Sequence, residues 1–207
     1  MFDLDGTLAD TGRDLADSVN FTREKFGLAP WSARAVYGHI GRGVEHLLKQ
    51  AVPEVAPERF QEVQHIFMGY YERHLLDQTV LYPGIREVLE DFSAKQRAVV
   101  SNKIYRLTVA LLRGLGVEYC FDAVFGGDSA AEKKPHPSLL CAALKRFHLP
   151  ASSAVMIGDG DIDVQAGKRA GVITCGVTYG LGNKDELLAA RPDVIIDHPA
   201  ELADYFF

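Results

Sequence analysis

The chain has 207 residues, of which 47% are hydrophobic and 24% are charged, and its formal net charge is −6. These values are typical of one large globular domain or of a core with a sizeable insertion, and they exclude a disordered chain, a collagen and a small disulfide scaffold. The acidic balance argues against nucleic acid as a partner. No apolar run has the length of a membrane span and no leader pattern begins the chain, so we expect a cytoplasmic protein without a membrane partner.

Helical patterns dominate the first part of the chain. After a very short apolar start, Met1-Phe2, the sequence predicts helices over roughly 14–26, after an N-cap at Ser32, from Val44 and from Pro57. The last of these helices carries apolar residues on one broad face: Phe60, Val63, Phe67, Tyr70 and Tyr71. Nothing between Leu8 and about Asp77 predicts a strand.

The pattern changes at Tyr82-Pro83-Gly84, after which short apolar runs alternate with helical segments. The predicted strands cover residues 98–100, 123–127, 154–157, 172–177 and 194–196. This alternation indicates an α/β fold with a doubly wound, Rossmann-like parallel sheet whose strands are buried on both faces. We therefore predict a core formed by residues 1–11 and 80–207, with an inserted α-helical cap formed by residues 12–79.

Paired acidic residues follow the first apolar run. Asp3 and Asp5 are two residues apart, so their side chains point to the same side of an extended segment, and Gly6 permits a sharp exit from it. Two neighbouring carboxylates repel each other, so either one is protonated or a cation lies between them. Because a hard divalent cation prefers oxygen ligands, this pair predicts a Mg²⁺ site.

A second acidic group consists of Asp159, Asp161 and Asp163, directly after the predicted strand 154–157. Ligands of open α/β sheets bind at the carboxyl ends of the strands, so we expect Asp159 to lie beside Asp3 and to bind the metal. For Asp161 two interpretations stay open. It is either a further metal ligand or an acid that the helix macrodipole favours at a helix N-terminus.

Groups suited to anions occur in three places. Ser101 and Asn102 follow a predicted strand and offer a hydroxyl and an amide, and Lys134 offers a cation among the carboxylates. In the predicted cap, Arg42 lies between Gly41 and Gly43, whose backbone amides are suited to an anion-binding nest. Arg42 either binds an anionic group or is an ordinary exposed loop residue.

Taken together, these motifs resemble the haloacid dehalogenase superfamily of aspartate-nucleophile phosphatases. The resemblance covers essentially the whole chain and is carried by four motifs: Asp3-Leu4-Asp5-Gly6-Thr7-Leu8, Ser101-Asn102, Lys134-Pro135, and Gly158-Asp159 with Asp163. Weaker stretches, among them Gly41-Arg42-Gly43-Val44 and Tyr82-Pro83-Gly84, are similar to phosphoglycolate phosphatases.

The resemblance implies a Mg²⁺-dependent enzyme that hydrolyses a small phosphorylated metabolite, 2-phosphoglycolate in the first place. Asp3 is then the nucleophile that forms an aspartyl-phosphate, and Asp5 is the general acid and base. The resemblance also implies that Mg²⁺ is held by Asp3, by the main-chain carbonyl of Asp5 and by Asp159. Asp163 then supports Asp159 or Lys134 without contacting the ion.

The remaining roles concern phosphate binding and substrate choice. The resemblance implies that Ser101, Asn102 and Lys134 hold the phosphoryl oxygens. We expect Gly41, Arg42 and Gly43 of the cap to determine substrate specificity.

Alternatives remain within and outside the enzyme class. An inorganic pyrophosphatase or a broad sugar-phosphate or nucleotide phosphatase would share the same motifs. A phospho-acceptor switch domain also combines acids, Mg²⁺, a hydroxyl and a lysine, but it lacks a long helical insertion. We expect a monomer or a homodimer.

Overall fold

A computed structural model describes residues 1–206 of the chain. The strands are β1 (Ala9–Asp10), β2 (Val80–Leu81), β3 (Ala98–Val100), β4 (Ala123–Phe125), β5 (Val155–Gly158), β6 (Ile173–Val177) and β7 (Val194–Ile196). The helices are α1 (Gly12–Lys25), α2 (Ala33–Tyr37), α3 (Val44–Ala51), α4 (Phe60–Tyr71), α5 (Ile85–Asp91), α6 (Tyr105–Gly114), α7 (Ser138–Phe147), α8 (Asp161–Ala170), α9 (Lys184–Ala189) and α10 (Leu202–Phe206). Within residues 1–206, no helix combines the length and the hydropathy that crossing a bilayer requires.

The N-terminal segment lies in the middle of the parallel sheet. Phe2 pairs with Val99 on one side and with Ile157 on the other. The N–H of Phe2 donates to the carbonyl of Ala98 at 2.8 Å, and the N–H of Asp3 donates to the carbonyl of Ile157 at 2.9 Å. The order across the sheet is therefore β4, β3, the N-terminal segment, β5, β6 and β7, and Asp3 leaves this sheet at its centre.

Alternate residues of the strands pack on opposite faces of the sheet. Val99 and Ile157 belong to one buried cluster, whereas Val100 and Met156 pack with Leu140 of α7 in another. Parallel sheets have other elements packed on both faces, so the apolar side chains on both faces are buried. The predicted α/β core with strands buried on both faces is confirmed.

Helices α1 to α4 occupy the chain between β1 and β2. The predicted N-cap at Ser32 is confirmed, since its hydroxyl accepts a hydrogen bond from the N–H of Ala35 at 3.3 Å. The helix predicted from Pro57 starts as a 3₁₀ turn over Pro57–Arg59 and becomes α-helical at Phe60. The buried residues of α4 are Val63, Phe67 and Tyr71.

Two short strands, β1 before helices α1 to α4 and β2 after them, pair with each other. β1 and β2 are antiparallel, with Ala9 opposite Leu81 and Asp10 opposite Val80. The prediction that no strand occurs between Leu8 and about Asp77 is therefore wrong for β1. A two-residue strand has no periodicity to detect, and it forms here because tertiary folding brings the two segments side by side.

The buried carboxylate of Asp14 holds the segment that leads from α4 to β2. Asp14 in α1 accepts hydrogen bonds from the N–H of Gln78 at 3.0 Å and from the N–H and the hydroxyl of Thr79 at 2.9 and 2.7 Å. The side chain of Asp14 is almost fully buried. Hydrogen bonds to a charged acceptor are stronger than neutral ones, so Asp14 ties the return of the chain to the start of α1.

We expect Asp14→Asn to lower the free energy of unfolding by about 2–3 kcal/mol, because an NH₂ group then faces backbone donors in a buried place. The exposed neighbour Asp17 accepts only from the side chain of Gln78, so Asp17→Asn is the matched control and should cost under about 0.5 kcal/mol. Urea unfolding, followed by circular dichroism and by the fluorescence of Trp31, measures both. Equal losses in the two variants would contradict this role of Asp14.

Candidate active site

Three carboxylates meet at the carboxyl edge of the sheet. Asp3 follows the central segment, Asp159 follows β5 and Asp163 lies in the first turn of α8; their oxygens lie within 4.8 Å of one another. Gly6 makes room for them with a φ of +86°, since a Cβ there would lie 2.0 Å from Oδ2 of Asp159. Only glycine combines this backbone conformation with so close an approach.

Asp159 is held by donors from two other loops. Its Oδ1 accepts from the hydroxyl of Thr7 at 3.2 Å, and its Oδ2 accepts from the N–H groups of Leu181 and Gly182 at 2.9 and 2.8 Å. Burial and the two neighbouring carboxylates nevertheless raise the pKa of Asp159 to about 8. The cluster therefore holds more negative charge than its donors balance.

Lys134 is the cation of this cluster. Its Nζ donates to Oδ1 of Asp163 at 2.6 Å and to the carbonyl of Val100 at 2.7 Å, and it lies 2.9 Å from Oδ1 of Asp3. Among residues 1–206, Lys134 is the polar partner of this buried Asp3 oxygen. Burial raises the pKa of Asp3 to about 6 against the opposing effect of Lys134. The second oxygen of Asp163 accepts from the N–H of Gly160, so both oxygens of Asp163 are engaged.

Ser101 and Asn102 follow β3, as predicted. The amide nitrogen of Asn102 donates to the carbonyls of Gly41 and Lys134 at 3.0 and 2.8 Å, and its oxygen accepts from the N–H of Lys134 at 2.8 Å. The buried hydroxyl of Ser101 accepts from the N–H of Lys103 at 3.2 Å. Asn102 thus connects the Lys134 loop with the turn at Gly41, and its role in phosphate binding stays a prediction.

The predicted cap residues lie over the same edge of the sheet. Nη2 of Arg42 donates to both carboxylate oxygens of Asp161 at 2.8 and 3.0 Å and lies 3.9 Å from Oε2 of Glu186. Gly41 and Gly43 both have a positive φ, which gives the turn its shape. Asp161 lies in the first turn of α8, as the helix N-terminus interpretation requires. Neither interpretation predicted its ion pair with Arg42, because the two residues are 119 positions apart in the sequence.

Asp5 contacts two residues to which the sequence motifs assign no role, and a third residue, Tyr71, contacts one of these two. Its Oδ1 accepts from the hydroxyl of Thr11 at 2.6 Å and lies 3.2 Å from Nζ of Lys103. The same Nζ donates to the hydroxyl of Tyr71 at 2.7 Å. The available signal for Lys103 was its position directly after Ser101-Asn102, whereas Tyr71 has only the pattern of a buried helix residue.

Two cavities meet at Asp5. One contains Asp3, Asp159 and Arg42, and the other is mostly apolar and contains Lys103. Three residues line both cavities: Asp5, Ile40 and Gly41.

Comparison with known proteins places this arrangement in a family. The sequence profile of the haloacid dehalogenase-like hydrolase family matches residues 1–177. Phosphoglycolate phosphatases of Colwellia psychrerythraea and Chromobacterium violaceum are 32% and 35% identical to the chain. Each alignment covers 98% of the chain and 93% of the relative.

Solved structures agree with this result. A crystal structure described as a predicted phosphoglycolate phosphatase from Haemophilus somnus matches with a TM-score of 0.94 at 31% identity, over 98% of this chain and 95% of that one. A putative phosphoglycolate phosphatase from Lactobacillus delbrueckii matches with a TM-score of 0.92 at 25% identity, over 100% and 96%. The fold class and the hydrolase family predicted from the motifs are confirmed, and the chain belongs to the haloacid dehalogenase-like hydrolases.

Proposed function

We propose that the chain is a Mg²⁺-dependent phosphatase that hydrolyses 2-phosphoglycolate to glycolate and phosphate through an aspartyl-phosphate on Asp3. The observation that carries the proposal is the buried carboxylate of Asp3, whose Oδ1 pairs with Nζ of Lys134 at 2.9 Å while an oxygen of Asp159 lies within 4.8 Å. The names of the similar proteins support the substrate. We also propose residues 12–79 as the cap and residues 1–11 and 80–207 as the core.

The donor set fits Mg²⁺. It consists of carboxylate and carbonyl oxygens. These include the buried Oδ1 of Asp3 and the carboxyl of Asp159, whose pKa is raised by burial and by the neighbouring carboxylates of Asp3 and Asp163. We propose that Asp3, the main-chain carbonyl of Asp5 and Asp159 hold the ion. Asp163 acts behind them by positioning Lys134, since its oxygens already accept from Lys134 and Gly160. The bound ion would supply positive charge that lowers the repulsion between the nucleophile and the phosphoryl group.

Asp3 and Asp5 divide the chemistry between them. A carboxylate oxygen of Asp3 attacks phosphorus, and the bond from phosphorus to the ester oxygen breaks as Asp5 gives its proton to that oxygen. A water molecule then attacks the same phosphorus atom, its proton goes to Asp5, and the bond between Asp3 and phosphorus breaks to release phosphate. Thr11 and Lys103 fix the orientation of the Asp5 carboxyl throughout.

The remaining predicted residues hold the substrate. Ser101, Asn102 and Lys134 are proposed to face the phosphoryl oxygens, with Lys134 as the charged partner. Gly41, Arg42 and Gly43 are proposed to form the cap side of the site. The pair between Arg42 and Asp161 holds this turn against the N-terminus of α8.

A substrate panel tests the proposed function. We expect 2-phosphoglycolate to have a higher kcat/KM than pyrophosphate, sugar phosphates and nucleoside monophosphates, and EDTA to abolish turnover. A higher kcat/KM for another compound would leave a phosphatase with a different substrate. Phosphorylation without turnover would instead favour a phospho-acceptor switch.

Variants of the two acids test the covalent step. Asp3→Asn should lower kcat by at least about 10³-fold and prevent transfer of radiolabelled phosphate to the protein, because an amide is a poor nucleophile. Asp5→Asn should still form labelled protein, but more slowly, since the ester oxygen leaves without a proton. The exposed Asp91→Asn serves as the matched control. Labelling of Asp3→Asn would overturn the assignment of the nucleophile.

The raised pKa values predict how pH affects the metal-free protein. Asp3 and Asp159 have pKa values of about 6 and about 8 in the fold, against an ordinary value of 3.8. The folded state therefore binds more protons, and stability that is present below pH 3.8 is lost as the pH rises through 6 and 8. In EDTA we expect the free energy of unfolding to fall from about pH 5 to about pH 9, and to fall less in Asp159→Asn.

Mg²⁺ provides the complementary measurement. The ion should restore stability at the alkaline end of this range, because it replaces the protons that the carboxyls lose. If the free energy of unfolding depended on pH in the same way in the unaltered protein and in Asp159→Asn, the raised pKa of Asp159 would not be its cause, and the prediction would be wrong.

A further inference from the structure

A second buried ammonium group, that of Lys103, orients Asp5 in the mechanism proposed above but has been given no contact with the substrate. The side chain of Lys103 is only 7% exposed. Its Nζ donates to the hydroxyl of Tyr71 at 2.7 Å, lies 3.2 Å from Oδ1 of Asp5 and stands 4.6 Å from the centroid of the Tyr71 ring. These contacts join a loop of the core to helix α4.

The cavity of Lys103 is otherwise mostly apolar, with His39 and Asn102 as its further polar residues. It is lined mainly by aliphatic and aromatic side chains, among them Leu15, Val44, Leu47, Phe67, Ile104 and Leu107. Burial alone would lower the pKa of Lys103, but Asp5 and Tyr71 raise it above its ordinary value, so the group stays charged. An ammonium group has three donor protons, and within residues 1–206 only Asp5 and Tyr71 are side-chain partners.

The position of Lys103 corresponds to the leaving-group side of the proposed reaction. The ester oxygen must lie at Asp5 to receive its proton, and Asp5 lines both cavities. In 2-phosphoglycolate the carboxylate is separated from that oxygen by one methylene group. A substrate whose phosphoryl group lies at Asp3 therefore directs its carboxylate past Asp5, into the cavity that contains Lys103.

We propose that Lys103 binds an anionic group on the leaving-group side of the substrate, the carboxylate of 2-phosphoglycolate, and that Tyr71 holds its ammonium group in place. This inference rests on the proposed function and names the residue that selects its substrate. Two other cations near the site are already engaged. Lys134 contacts Asp3 and Asp163, and Arg42 is 39% exposed and bound through Nη2 to both oxygens of Asp161. A neutral leaving group would leave Lys103 without its third partner, so the site discriminates against it.

The experiment compares two substrates that differ in this group. We measure kcat/KM for 2-phosphoglycolate and for 2-hydroxyethyl phosphate, which has no carboxylate. We expect the unaltered protein to prefer 2-phosphoglycolate by about 10- to 100-fold, the range of a charged hydrogen bond. Lys103→Met should reduce the ratio to within about threefold of one, and the exposed Lys145→Met should leave it unchanged.

The ratio separates substrate binding from an effect on Asp5. If Lys103 acted only by orienting Asp5, Lys103→Met would lower both kcat/KM values by the same factor, and that result would overturn the proposal. Tyr71→Phe is a milder variant that keeps the ring and removes the hydroxyl. It should lower the ratio by about threefold or more.

A binding measurement makes the test independent of turnover and of residual activity. In the Asp3→Asn background, calorimetry with 2-phosphoglycolate should show affinity weakened by about 10- to 100-fold when Lys103→Met or, to a smaller extent, Tyr71→Phe is added. Affinity for inorganic phosphate should change by less than about threefold. Circular dichroism checks that each variant is folded.

The failures of the two proposals have different signatures. The proposed function fails if the unaltered protein turns over another class of phosphate ester faster than 2-phosphoglycolate. The inference fails if no preference for an anionic leaving group exists. It also fails if the preference survives Lys103→Met and disappears in Arg42→Met.

Discussion

The carboxyl edge of the sheet buries more negative than positive side chains, and the rest of the site is arranged around this imbalance of charge. Four buried carboxylates, those of Asp3, Asp5, Asp159 and Asp163, face two buried ammonium groups, those of Lys134 and Lys103. Buried charges are tolerated only when they are paired, so the excess must be met by protons or by a cation. Without a metal, the raised pKa values of Asp3 and Asp159 allow protons to offset the excess negative charge. The proposed Mg²⁺ would offset the same charge when it is bound.

The sheet brings these charges together because its parallel strands all end at one edge. Asp3 stands at the centre of that edge, since Phe2 is hydrogen-bonded into the sheet on both sides. Asp3, the proposed nucleophile, is therefore held in place by the hydrogen-bonded backbone of the sheet. The close approach of Asp159 then requires Gly6, so the turn after the first strand is dictated by the same crowding.

The helical segment meets the core through polar contacts at this edge. Gly41 accepts from Asn102, Arg42 pairs with Asp161, and Tyr71 accepts from Lys103. Each contact joins a residue of the predicted cap to a loop that carries one of the motifs. Movement of the helical segment would therefore change the positions of groups around Asp3 and Asp5, and in the proposed function this would couple substrate binding to the reaction.

The α/β class, the family and the motif residues could be predicted from the amino-acid sequence, because these depend on local patterns: apolar runs of strand length, and acids placed directly after them. The sequence did not predict β1, whose two residues pair only after the fold has brought Val80–Leu81 alongside. The partners of Asp161 and Lys103 are visible only in the folded chain. Contacts of this kind depend on distances between residues far apart in the chain, and no pattern along one segment encodes them.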